Sequence, residues 1–417
     1  MSGGRPRRLC LLLETFHPEI GGGETQARLL VEDLTARGYE ILVLTRRSQP
    51  DCPRRERLFG ATVVRFPPSG RGQLRKWAVL LTIVPGILRI AHRQDAFLVS
   101  GFRILGPPAV LAGSLFRRPS ILKADSNGEL SGDYFRAGLA AAGVSPDNKL
   151  VRLLIAMRNA ILRRASSFVA LSSAMEREFR QEGVRSDKIC RIPNGVDTRW
   201  FRPPRSSERD AARHELGYSS ENFVLTYTGR LVTYKGLPSL LSVWKEARER
   251  HPHARLVMVG SGGSDIHNCE DWLKGYVADH GLEASVQFTG SVGDVRPYLW
   301  ASDGFVFPTE DEAFGISLIE AMACGLPCIA TTVGGVIDGD ASSEFVIVVQ
   351  PAHRGQLLDA IDRLLVDANL AARLGRAAAR QAMRAYSRDV VAECYDQLIL
   401  GLLAGKEKPV RSTPPTG

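Results

Sequence analysis

The sequence predicts an α/β protein built as two successive parallel-sheet halves, and three observations carry that expectation. Short apolar strand-like segments alternate with helical ones along the first half. The same alternation starts again after a stretch rich in Pro, Ser and charge, Pro203 to Ser220. The last helical stretch, Ser387 to Leu403, follows two other helices and faces no further strand. Alternation of this kind places strands side by side in parallel with helices over both faces.

In the first half the expected strands are RLCLLLE (8–14), EILVLTR (40–46), TVVRFP (62–67), AFLVSG (96–101), SILKAD (120–125) and SFVALS (167–172). Helical patterns separate several of them, ETQARLLVEDLTARG and VRLLIAMRNAILRRA among them. In the second half the strands are FVLTYTG (223–229), RLVMVG (255–260), VQFTG (286–290), GFVFP (304–308), PCIAT (327–331) and FVIVV (345–349). The expected organisation is a first domain over 1–200 joined by a returning helix at about 387–404. A linker at 201–221, a second domain over 222–386 and a disordered tail at 405–417 complete it. Two Rossmann-like halves facing each other would leave a cleft between their strand C-termini, where ligands collect.

A chain of 417 residues is long enough for two cores, and 44% hydrophobic with 24% charged residues is ordinary for a globular protein. The seven cysteines are scattered without a C-x2-C pair, which favours a reducing compartment and argues against structural zinc. The apolar run Leu9 to Leu13 is broken by Glu14 and fits a first strand better than a signal segment. The net charge of +9 is uneven: residues 1–200 carry 32 Lys and Arg against 18 Asp and Glu, the remainder 22 against 27. A basic half suits an anionic membrane or a phosphorylated substrate. No basic motif interleaved with aromatics supports a nucleic-acid partner.

The most informative stretch is Gly304 to Thr331, which places Glu312 in a loop and Glu320, eight residues on, inside an otherwise apolar helix. Gly325 stands where a C-cap glycine belongs, and Pro327 opens the next strand. A carboxylate at Glu320 either reaches water or has a partner, because an unpaired buried charge is costly. A vicinal diol such as ribose is one such partner. Arg230 and Lys235 stand on one loop directly after a strand, a fork and a mobile point charge suited to a diphosphate, or else two solvated cations. Gly21-Gly22-Gly23-Glu24 opens a helix after the first strand, where glycines let the backbone approach a phosphate or simply make a tight turn. It is not G-x-G-x-x-G, which counts against a dinucleotide fingerprint. Gly334-Gly335 follows a strand in the second half, and Lys123 to Glu129 (KADSNGE) ends one in the first, unusually polar for a turn.

Taken in order, HPEIGGGETQARLLVEDLTARGYEI, KICRIPNGVDTRWFRP, TGRLVTYKG, EDEAFGISLIEAMACGLPCIA and TVGGVID resemble the successive motifs of family-4 retaining glycosyltransferases. The resemblance runs from Leu9 to about Leu403 and includes the Glu-x7-Glu signature of that family. It implies the GT-B fold, with the last helix returning to the first domain. It implies transfer of a sugar, from UDP- or GDP-sugar, to a hydroxyl of a glycan, lipid-linked or small-molecule acceptor. Arg230 and Lys235 would hold the diphosphate, Glu320 the ribose, and Glu312 would stand beside the transferred sugar. Gly21 and Gly22 would approach the phosphate, and Phe314, Gly315, Gly334 and Gly335 belong to the matching donor-binding motifs. No cofactor and no metal are expected, since the two cations can meet the charge on the leaving phosphate. Front-face attack is the mechanism the family implies; a double displacement through Glu312 is the chemical alternative. An epimerase of the same fold and a non-catalytic nucleotide-sugar-binding subunit are the rival functions.

The chain departs from the family where relatives carry a first-domain histidine: KADSNGELSGDY has none, leaving Asp125, Ser126 or Asn127 for that space. Tyr39 replaces a frequent histidine and reads as structural. Arg71 to Gln94 is basic, amphipathic and contains Trp77, so it either docks on an anionic membrane or packs as a helical pair on the first sheet. The expected location is cytoplasmic, soluble or peripheral to the membrane.

Overall fold

A computed structural model describes residues 5–19, 21–70, 73–135, 145, 148–338 and 340–405. Its chain separates into two compact units, Met1–Gly195 with Arg388–Gly417, and Val196–Ser387. Arg71, Gly72 and the expected tail beyond 405 lie outside the described residues.

In the first unit the strands are β1 (Arg7–Leu13), β2 (Tyr39–Arg46), β3 (Arg55–Leu58), β4 (Ala61–Phe66), β5 (Ala96–Ser100), β6 (Ser120–Lys123), β7 (Ser167–Ala170) and β8 (Ile189–Arg191). They form one sheet in the order β3-β4-β2-β1-β5-β6-β7-β8, parallel except for the β3–β4 hairpin. The helices are α1 (Gly22–Ala36), α2 (Gln73–Ala78), α3 (Leu80–Ala91), α4 (Phe102–Leu115), α5 (Lys149–Leu162) and α6 (Ser173–Gln181). β5, β6 and β7 are buried at every position, as continuous apolar runs predict for strands covered on both faces.

The second unit begins with α7 (Ser206–Glu215) and continues with β9 (Phe223–Thr228), α8 (Leu237–Arg250), β10 (Ala254–Val259), α9 (Glu270–Asp279) and β11 (Val286–Gly290). It ends with α10 (Arg296–Ala301), β12 (Gly304–Phe307), α11 (Ile316–Ala323), β13 (Cys328–Thr331), β14 (Val346–Val349), α12 (Arg354–Val366) and α13 (Ala368–Ala385). Its six parallel strands run β11-β10-β9-β12-β13-β14. That order reverses direction between β9 and β12, as the first sheet does between β1 and β5, and a crevice opens beyond the strand C-termini at such a point.

Two features differ from the sequence reading. Residues 201–221, expected as a linker, are integral to the second unit through α7. Arg213 is buried there and donates to the carbonyls of Ala301 (2.9 Å) and Asn222 (2.6 Å) and to Asp303 (3.0 Å). Polar composition read as linker because the apolar face of α7 is short and its anchoring is done by arginines. The edge strands β3 and β8 also went unread, being four and three residues long.

The returning helix, α14 (Arg388–Leu403), packs on α1 within the first unit. Val391, Tyr395, Leu398 and Ile399 join the core formed by β1, β2 and α1, each such side chain stabilising by about 1.5–3 kcal/mol. Arg388 grips Asp33 (2.9 Å) and Glu32 (2.8 Å), and the Tyr39 hydroxyl donates to Asp396 at 2.5 Å. Tyr39 is thus structural.

Candidate active site

In the second unit the polar residues gather where the sheet order reverses. β9 ends at Thr228, and the loop after it carries Arg230, Tyr234 and Lys235. β12 ends at Phe307, and the loop after it carries Glu312. The two loops are bonded to each other: the Tyr234 carbonyl accepts from the backbone of Glu310 (2.9 Å) and from the Thr309 hydroxyl (3.3 Å). This brings Lys235 Nζ to 2.6 Å from Glu312 Oε2, while Glu312 Oε1 accepts from the backbone of Ala313 at 3.0 Å. Gly236 fixes the turn after Lys235. Its φ is +68°, and a Cβ there would stand 2.0 Å from the Pro308 carbonyl oxygen, so only glycine fits.

Arg230 is largely exposed, ion-paired with Asp265 and bonded to the Tyr234 hydroxyl at 2.7 Å. Lys235 Nζ stands 5.3 Å from the centre of the same tyrosine ring. Both cations therefore share one aromatic brace, Tyr234.

Glu320 stands on the second turn of α11, whose N-cap is Gly315. Among the described residues its carboxylate has no hydrogen-bond or ion-pair partner, and burial pushes it up to about 8. Part of the residue's surface is nevertheless open to solvent. A carboxylate with these properties is set to receive hydroxyl donors, which stabilise its charged form. Gly334 and Gly335 lie on the loop after β13; a Cβ on Gly334, at φ +94°, would meet the Phe314 carbonyl at 2.8 Å and Glu312 Cγ at 3.1 Å. That glycine lets the β13 loop close against the Glu312 loop. Phe314 stands on the same loop as Glu312. Its ring is buried against Tyr386, centroids 5.8 Å apart, so it anchors the loop and offers a ligand only its backbone.

A recess of about 530 Å³ lies beside Arg230, lined by Gly229, Ser261, Asp265, Ser291 and Val292 among others. The sequence reading missed it, although Gly260-Ser261-Gly262-Gly263 and Gly290-Ser291 stand at the ends of β10 and β11 and are the signal that marks it.

In the first unit three strand ends converge. Gly21 is the N-cap of α1 and Gly22 its first residue; Glu24 curls back so that a Cβ on Gly21 would stand 2.5 Å from its carboxylate, and Thr15 donates to that same carboxylate. Asp125, after β6, accepts from Ser100 Oγ at 2.8 Å and is ion-paired with the buried Lys123. Gly23 brings α1 close to it, a Cβ there standing 3.7 Å from Asp125 Oδ2. Ser126 bonds inward to Glu129 (3.2 Å), while Asn127 is exposed.

Glu129, fully buried, holds this loop: its carboxylate accepts from the backbones of Phe102 (2.9 Å), Asp125 (3.0 Å) and Ser126 (3.2 Å). Burial pushes it up to about 7, against the pull of Arg103. Glu178 accepts from Gly128 (2.9 Å), Leu130 (2.9 Å) and Ser131 (3.0 Å). Two carboxylates thus take up the loop's backbone N–H groups, while Asp125 is held by Ser100 and Lys123 and Asn127 is exposed.

Two Rossmann-like sheets, each carrying polar loops at its switch point, are the two halves of the GT-B fold. Family signatures match both halves: "Glycosyl transferase 4-like domain" over 21–195 and "Glycosyl transferases group 1" over 208–381. The chain belongs to this glycosyltransferase family. It is similar to the D-inositol 3-phosphate glycosyltransferase of Acidothermus cellulolyticus, 27% identical, with 91% of this chain and 87% of that protein covered. It is also 27% identical to the mannosylfructose-phosphate synthase of Agrobacterium fabrum, covering 94% of this chain and 88% of that one. Among solved structures, sucrose-phosphate synthase from Thermosynechococcus elongatus superposes with TM-score 0.76 at 23% identity, covering 96% of this chain and all of that one. HepE from Anabaena, solved with UDP, superposes with TM-score 0.74 at 20% identity, covering 94% and 100%. At these identities the structures establish the fold.

Proposed function

We propose that the chain transfers a sugar, with retention of anomeric configuration, from UDP- or GDP-sugar to a hydroxyl of a glycan, lipid-linked or small-molecule acceptor. The observation that carries the reading is the grouping of Arg230, Lys235 and Glu312 at the β9/β12 switch point, with Glu320 on the helix that follows. Breaking an anomeric C–O bond leaves negative charge on the departing diphosphate. Arg230 and Lys235 hold that diphosphate and stabilise the charge as it develops, without a metal. Glu320 accepts the ribose hydroxyls. Glu312, kept in place by Lys235 and by backbone N–H groups, stands beside the transferred sugar and supports its oxocarbenium-like character. Gly334 and Gly335 let backbone N–H groups approach the donor.

Within the first unit, Asp125 and Asn127 are the candidate acceptor groups in place of the family's histidine, and Gly21 and Gly22 are the candidate phosphate-approach positions. The leaving phosphate deprotonates the acceptor hydroxyl in a front-face attack. HepE being solved with UDP favours a nucleotide diphosphate donor of the same kind here. The seven free cysteines support a reducing, cytoplasmic location.

The test is incubation with UDP-, GDP-, ADP- and dTDP-sugars, with and without EDTA, followed by mass spectrometry and by NMR of the product anomer. Donor consumption unaffected by EDTA and a product of the donor's anomeric configuration are expected. No binding or turnover of any nucleotide sugar would refute the reading; an inverted product would refute the mechanism alone.

A further inference from the structure

The first unit carries a face that sugar transfer does not use. Its helices α3, α4 and α5 lie side by side, α3 against α4 and α4 against α5, with α4 resting on β5 and β6. α4 buries Leu105, Ala109 and Val110 toward the sheet and turns Leu111 and Leu115 outward, 44% and 69% exposed. α5 does the same more strongly. Leu150, Leu153, Leu154 and Met157 are spaced i, i+3, i+4 and i+7, one helical stripe, and each is more than half exposed. On α3, Leu81 is 81% exposed while Ile83 and Ile87 on the opposite side are buried. Single exposed leucines are ordinary, but a stripe on α5 beside exposed leucines on the adjoining α4 and α3 marks an interaction surface.

The charge carried by these helical segments is of one sign. Segments 73–94, 102–119 and 149–164 contain twelve Lys and Arg and not one Asp or Glu. Some of these cations serve the fold: Arg158 and Arg163 donate to the carbonyls of Glu129 (2.6 Å) and Glu182 (3.0 Å). Arg89, Arg93, Arg117, Lys149, Arg152 and Arg164 are exposed. Among the described residues no helix is long and apolar enough to cross a membrane. An apolar stripe with exclusively basic flanks is the composition of a helix that lies in a bilayer interface, its leucines among the acyl chains and its cations over anionic headgroups.

We propose that α3, α4 and α5 together dock the first unit on an anionic lipid bilayer. This extends the expectation for 71–94 alone: α5 carries the strongest apolar stripe, and α2 with α3 forms one flank. The absence of acidic residues from these three segments favours an anionic surface over a protein partner, whose recognition ordinarily uses both signs of charge.

Co-sedimentation of the full chain with sucrose-loaded vesicles tests it, comparing phosphatidylcholine alone with phosphatidylcholine containing phosphatidylglycerol, at low salt. Partitioning onto the anionic vesicles is expected to be at least about tenfold stronger than onto the neutral ones and to fall with salt. Leu153→Glu with Met157→Glu, and separately Arg152→Glu with Arg164→Glu, are expected to lower it by at least about tenfold each. Both pairs are exposed, so the melting temperature and nucleotide binding should stay at wild-type values and exclude misfolding. Equal partitioning onto both vesicle types, or variants that sediment like wild type, overturns the proposal. So does a wild-type dimer that the leucine variant converts to monomer while vesicle binding persists, because the face is then a self-association surface. Nucleotide binding is read separately, so failure here leaves the donor-site reading standing.

Discussion

Replacing Glu320 with Gln should move stability and function in opposite directions. Burial raises the Glu320 carboxyl from 4.5 to about 8. Below pH 4.5 it is protonated in both folded and unfolded chains, and its contribution to stability is then at its most favourable. Between pH 4.5 and about 8 the unfolded chain ionises while the folded one resists, so stability declines; above that it levels off. A rise of that size corresponds to at most roughly 5 kcal/mol at ~1.36 kcal/mol per pH unit, and the solvent reaching the residue reduces it to about 2 kcal/mol. Glu320→Gln removes the penalty. The second unit should melt roughly 4–8 °C higher than wild type at pH 8.5 and equally at pH 4.5. Donor affinity at pH 8.5, where Glu320 is ionised, should meanwhile drop by at least about tenfold, because a carboxylate accepting hydroxyl hydrogen bonds is worth about 1.5–3 kcal/mol. Calorimetric melting across pH with nucleotide titration measures both. A variant less stable than wild type at pH 8.5, or one with unchanged donor affinity, would refute the reasoning.

Three further substitutions probe the same architecture. Lys235→Ala takes away the cation proposed to meet the leaving diphosphate and leaves Glu312 without its 2.6 Å partner, so turnover should fall by roughly 10²–10³ while the fold melts near wild type; steady-state kinetics decide it. Gly236→Ala must fit a Cβ 2.0 Å from the Pro308 carbonyl at φ +68°, and should destabilise the second unit by more than about 1 kcal/mol in urea unfolding. Glu129→Gln turns an N–H group toward a backbone donor, at Phe102 or at Asp125 and Ser126. It should destabilise the first unit by about 1–3 kcal/mol, with amide exchange of residues 125–131 accelerating first.

Most strands of both sheets were legible because strands buried on both faces must be continuously apolar, and FVLTYT or AFLVS can hardly be anything else. β3 (RERL) was not, since an exposed edge strand needs no apolar pattern, and α7 was not, since Arg209 and Arg213 do the anchoring that leucines ordinarily do. At the site, the sequence could place Arg230, Lys235 and Glu312 at strand ends but could not pair them. The 2.6 Å contact of Lys235 with Glu312 and the hold of Asp265 on Arg230 come from loops 77 and 35 residues apart, which only the sheet order brings together. Nor does a motif position say which way a ring points, and the packing of Phe314 against Tyr386 is visible only in the structure. The exposed leucines of α5 had the periodicity of a core helix, and only their accessibility separates the two.

The central claim is that Glu320 receives the donor's ribose while Arg230 and Lys235 hold its diphosphate. Isothermal titration of wild type and Glu320→Gln with the preferred nucleoside diphosphate and its 2′- and 3′-deoxy analogues tests it as a double-mutant cycle. The account predicts that removing a ribose hydroxyl weakens binding to wild type by at least about 1 kcal/mol and has almost no effect on the variant. Equal losses in both proteins would contradict it.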